Sequence, residues 1–146
     1  MSENLNGLKG WLILVAIILC LGPPGIIYST VTYVMEMSAE WQFFDGSFKY
    51  LIVVTCIINI ILAFVSIYLI YLFFKKMRNF KICFIIYLGL SVILTILLTI
   101  WLIILVPTIF SLEILDSAEI FGSMIPAFIW IPYMLYSKRV KNTFIN

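Results

Sequence analysis

The stretch YLIVVTCIINIILAFVSIYLIYLFF, residues 50–74, holds 25 consecutive residues without one charge. An α-helix rises about 1.5 Å per residue, so roughly 20 such residues cross the ~30 Å of hydrocarbon in a bilayer. Lipid offers no water to backbone N–H and C=O groups, which leaves helices and closed barrels as the only spanning structures. A barrel strand alternates apolar and polar residues. This stretch does not, and it reads as a membrane-spanning helix.

Working outward, three further apolar runs lie at residues 10–35, 82–106 and 120–136. The third keeps its apolar character toward Leu112, and the fourth is the shortest. The whole chain agrees: of 146 residues, 64% are hydrophobic and 11% charged, with a mean hydropathy of +1.19. Soluble domains carry about 25% charged residues, so a water-facing surface cannot be built from this composition. The expected fold is all-α: an integral membrane protein whose four transmembrane helices form a bundle, one transmembrane domain over residues 1–146. A cleaved signal peptide is not expected. The first run is longer than a signal's apolar core, and no convincing small-residue cleavage site follows it.

Charge sets the expected orientation. Of nine basic residues, only Lys49 lies in an acidic loop; Lys9, Lys75, Lys76, Arg78, Lys81, Lys138, Arg139 and Lys141 all fall on the other side. Glu36, Glu40 and Asp45 occupy the first loop, and Glu113, Asp116 and Glu119 the third. Basic residues in short loops favour the cytoplasm, so both termini are expected there. Cys20, Cys56 and Cys83 are scattered through the spans with no metal-ligand spacing, and they read as packing residues.

LGPPG, residues 21–25, interrupts the first span. Proline removes a backbone donor and clashes with the preceding turn, so a kink is expected at Pro23 and Pro24. Pro126 and Pro132 raise the same question in the fourth span. Asn59 is the most polar residue inside a span, and Ser91, Thr95 and Thr99 share a face of the third through their spacing of four. Such groups either glue helices together or line a ligand groove. Asn59, Pro23, Pro24, Thr95 and Thr99 are therefore the candidate ligand or helix-packing residues. The aromatic loop EMSAEWQFFDGSFKY, residues 36–50, reads as an interfacial segment or a docking surface.

Catalysis finds no support. There is no histidine, the commonest general base. No acid lies within a span, and no nucleophile-elbow, phosphate-loop or zinc-protease motif occurs. A non-enzyme is expected, without catalytic residues, cofactor or metal.

GLKGWLILVAIILCLGPP at residues 7–24 and IWIPYMLYSKRVKNTF at residues 129–144 resemble the two ends of the domain-of-unknown-function 2569 family of small bacterial four-span membrane proteins. The first pattern falls on Gly7, Gly10, Trp11, Leu12 and Pro23. The second falls on Trp130, Ile131, Pro132, Tyr133, Ser137, Lys138, Arg139, Val140, Lys141, Thr143 and Phe144. Members often carry a basic residue ahead of the tryptophan, whereas this chain has none between Lys81 and Lys138. The resemblance implies the four-span fold, a bacterial origin and the inner membrane, and it implies no activity.

Two functions stay open. One is a non-enzymatic inner-membrane protein acting through protein interaction, as an accessory subunit or an immunity-type protector. The other is a small transporter or a lipid- or small-molecule-binding protein; a cavity at membrane depth beside Asn59 and the first span separates it from the first. The bilayer is the expected partner, with a membrane protein, a second copy or a bound lipid as further candidates. Nucleic acid is not expected. Trp130 and Tyr133, three apart, are expected to share a face that meets Trp11.

Overall fold

The computed structural model describes residues 10–105 and 117–144. It is helical throughout: α1 Trp11–Ala39, a 3-10 turn Trp41–Phe43, α2 Gly46–Phe74, α3 Phe80–Leu105, α4 Ser117–Tyr136 and α5 Lys138–Thr143. α1, α2 and α3 are long and apolar enough to cross a membrane; α4 is a shorter fourth helix. The 29 residues of α1 and of α2 reach about 43 Å. Each overshoots the ~30 Å hydrocarbon layer, so each tilts or extends beyond it. Helices adjacent in sequence pack side by side, α1 on α2, α2 on α3 and α3 on α4.

Large apolar side chains point away from this packing. Ile57, Ile60, Phe64, Ile86, Ile93 and Phe128 are each about half exposed or more. An apolar belt of this size suits a lipid surface and not water, in keeping with three helices long and apolar enough to cross a membrane.

The buried core lies at one end of the molecule. Leu12, Val15 and Leu19 of α1 meet Leu69, Leu72 and Phe73 of α2, Phe80, Phe84 and Leu88 of α3, and Ala127, Trp130 and Met134 of α4. This end also carries Lys75, Lys76, Arg78, Lys81, Lys138 and Lys141, and we call it the basic end. Glu36, Glu40 and Asp45 sit at the opposite, acidic end, where α1 turns into α2. There Phe43 is 86% exposed, while Phe44 and Phe48 lie against each other at 4.7 Å.

α1 runs as one helix through Pro23 and Pro24. The LGPPG signal does not end it, although two rungs of the backbone ladder lack a donor. Pro126 and Pro132 likewise lie inside α4. The helix at the fourth apolar run ends in a break at Ser137. Ser137 caps α5, its Oγ accepting from the Val140 N–H at 3.4 Å. Lys138 therefore opens a new helix instead of closing α4.

α2 ends in a tight reversal. The Met77 N–H donates to the Leu72 carbonyl at 3.1 Å and the Lys76 N–H to the Phe73 carbonyl at 3.0 Å. This is the Schellman pattern, whose left-handed position usually holds glycine. Here it holds Lys76, at φ 52°.

Candidate functional site

Each of α1, α2 and α3 carries an inward stripe spaced by three and four residues, and each stripe changes character along its length. At the basic end the stripes are mostly apolar: Leu12, Val15 and Leu19; Ala63, Leu69 and Phe73, with the buried Ser66 between them; Phe80, Phe84 and Leu88. Toward the acidic end polar residues follow: the exposed Ser29 and the half-buried Tyr33 on α1, Thr55 and Asn59 on α2, and Thr95 and Thr99 on α3. These six polar residues, with Leu51, Leu98 and Leu102, line one partly open cavity of about 360 Å³. The volume is within the range of small-molecule sites, about 300–1,000 Å³.

The hydroxyls of Ser29, Thr55, Thr95 and Thr99 do not bond one another across the space. Ser29 Oγ donates to the Ile26 carbonyl at 3.0 Å, and Thr55 Oγ1 to the Leu51 carbonyl at 2.9 Å. Thr95 Oγ1 donates to the Ser91 carbonyl at 3.0 Å, and Thr99 Oγ1 to the Thr95 carbonyl at 2.9 Å. Each of these four hydroxyl hydrogens is spent on its own helix, while the oxygen keeps lone pairs free to accept. Asn59 adds an amide able both to donate and to accept. No acidic or basic side chain lines the cavity among the described residues, and those residues hold no group of three or more potential metal ligands.

Of the sequence candidates, Asn59, Thr95 and Thr99 come together here. Pro23 and Pro24 do not reach this cavity; Pro23 is buried on α1 and Pro24 is exposed. Ser29, Tyr33 and Thr55 were not legible as members. Thr55 stands four before Asn59, and Ser29 four before Tyr33, so the i, i+4 relation that marks Thr95 and Thr99 was present on all three helices. Wider space of about 640 Å³ opens between α1 and α4 beside Gly22, Gly25 and Gly122, but it is a surface cleft; Ser29 borders it too.

The motif residues gather at the other end. Gly10 precedes α1 at φ 62°, ψ −133°, a conformation that only glycine takes without strain. Trp11 then meets Trp130, and Trp130 meets Tyr133 edge-on at 5.8 Å. Val140, Thr143 and Phe144 are buried, and the Phe144 ring lies 4.7 Å from Phe80 and 5.6 Å from Phe73. Lys138 and Lys141 are exposed. Gly7 and the side chain of Arg139 lie outside the described residues.

The family profile described as "Protein of unknown function (DUF2569)" matches residues 5–145, nearly the whole chain. The protein is a member of the DUF2569 family. The two motif-bearing ends of this DUF2569 protein thus build its closed, basic end, and the polar cavity lies in the part that joins them. No curated protein and no solved structure matches the chain.

Proposed function

We propose that this DUF2569 protein is a non-enzymatic binding protein that takes a neutral, hydrogen-bonding small molecule into the cavity between α1, α2 and α3. One observation carries the reading: six polar side chains on three helices converge on one space, yet the hydroxyls of Ser29, Thr55, Thr95 and Thr99 bond within their own helices. These four hydroxyls make none of the bonds across the gap by which polar groups glue helices, and Asn59 makes no side-chain hydrogen bond among the described residues. The Asn59 amide, and hydroxyl oxygens that keep spare lone pairs, gain from a ligand or water that bonds to them. Because no ionised side chain lines the site among the described residues, a charged ligand entering it would find no counter-charge from them. The ligand class is a neutral molecule bearing hydroxyl or amide hydrogens, which the free hydroxyl oxygens and Asn59 accept.

In this reading α4 is the fourth span of a four-helix bundle in a bacterial inner membrane. Both termini face the cytoplasm, in line with eight of nine basic residues on one side. α1 bends at Pro23 and Pro24. The cavity then opens toward the outer face, as expected for capture of a molecule from outside.

Native mass spectrometry of protein extracted from its own membrane tests the proposal. Wild type is expected to carry a neutral small-molecule adduct that Asn59→Leu lacks while remaining folded. Adduct-free wild type, or an adduct held equally by the variant, would remove the support.

A further inference from the structure

The basic end carries more order than membrane orientation demands. Orientation needs basic residues near one face; it does not need them folded together. Here residues 138–143 form a capped helix, and Phe144 at its end is seated between Phe73 and Phe80, the residues flanking the α2–α3 turn. Two basic groups about sixty positions apart in the chain are thereby brought to one aromatic anchor. One is Lys75, Lys76 and Arg78 on the turn; the other is Lys138 and Lys141 on α5. All five are exposed. Among the described residues the acids Glu36, Glu40 and Asp45 lie at the opposite end. Lys76 is also kept at a left-handed position where glycine fits without strain, so a cation stands where backbone geometry favours its loss.

We propose that α5 and the α2–α3 turn form one binding site for the phosphate-bearing headgroup of an anionic phospholipid. Lysine and arginine supply the charge-assisted donors that phosphate oxygens accept. The surroundings favour a lipid over an acidic protein. Tyr71 and Phe74, at the end of α2, are 54% and 55% exposed, and Tyr136, next to the α5 cap, is 81% exposed. Lys75 Nζ lies 6.0 Å from the Tyr71 ring centre. Cations above outward-facing rings match the layering of a lipid, headgroup outside and glycerol and chains beneath. The site is independent of the cavity and stands or falls without it.

The test uses full-length protein reconstituted in phosphatidylcholine nanodiscs, with and without phosphatidylglycerol, read by retained lipid in native mass spectrometry and by thermal stability. Wild type is expected to retain phosphatidylglycerol over phosphatidylcholine and to be stabilised by it. Lys138→Gln with Lys141→Gln should lower that preference about thirtyfold, given what each basic residue contributes at an anionic surface. Phe144→Ala keeps every charge but releases α5, and should lower it as well; Lys49→Gln at the acidic end should leave it unchanged. If Phe144→Ala does not fold, Lys75→Gln with Lys76→Gln replaces it, with the same expected loss. Equal retention of both lipids by wild type, or full preference in the double lysine variants, overturns the proposal. So does an acidic protein recovered on this surface in place of lipid.

Discussion

The indole of Trp11 meets that of Trp130 edge to face, 6.3 Å between ring centroids and 66° between planes. The pair joins α1 to α4 at the basic end and ties the two halves of the family motif together. Their environments differ: Trp130 is 6% exposed and Trp11 60%. Aromatic pairs in this arrangement contribute about 0.5–1.5 kcal/mol beyond area burial. A double-mutant cycle with Trp11→Leu and Trp130→Leu, read by unfolding in detergent, is expected to return a coupling of that size. Additive effects would mean the rings touch without stabilising each other.

Phe144 is the pin of α5. It is 5% exposed and contacts both Phe73 and Phe80. Truncating a buried phenylalanine costs about 3–5 kcal/mol. Phe144→Ala should lose stability on that scale and expose residues 138–143 to protease, with Phe144→Leu losing much less. Intact protease resistance in the alanine variant would contradict the anchoring role.

Thr143, one residue earlier, is 6% exposed and its Oγ1 is buried without a hydrogen-bond partner. An unsatisfied buried hydroxyl costs about 1–3 kcal/mol. Thr143→Val preserves shape and removes that cost, so unchanged or increased thermal stability is expected. A clear loss would reveal a partner for this hydroxyl in the membrane.

At Lys76, backbone strain and charge oppose each other. An L-residue in the left-handed region costs about 1–2 kcal/mol. Lys76→Gly should therefore raise stability in neutral detergent by about 1 kcal/mol. Lower stability under those conditions would show that the lysine side chain makes a contact outweighing its strain.

The long helices were legible because hydrocarbon imposes one simple rule, and residues 50–74 obey it without exception. What escaped was set by tertiary structure. KRVKNT is too short and polar to read as a helix; α5 forms because Val140 and Phe144 find buried places beside α2 and α3. The α2 terminus has no glycine, so its left-handed cap at Lys76 left no signal. LGPPG signals a kink, and α1 continues as one helix through it, since an apolar helix with packed neighbours survives the loss of two backbone donors. Thr95, Thr99 and Asn59 stood out against apolar surroundings. Ser29, Tyr33 and Thr55 did not, because their meaning depends on which faces of α1 and α2 turn toward α3.

Accessibility labelling measures most directly whether the polar cavity is open to hydrophilic molecules. Thr95→Cys would be placed in a background with Cys20, Cys56 and Cys83 replaced by alanine, with Ile93→Cys, on the outward apolar face at 56% exposure, as control. A small, polar, membrane-impermeant thiol reagent is added to the outer face of intact spheroplasts. The account predicts that Thr95→Cys reacts and Ile93→Cys does not, and that Asn59→Leu slows the reaction at Thr95→Cys. Protection of Thr95→Cys from the outer face, or labelling equal at both positions, would contradict it.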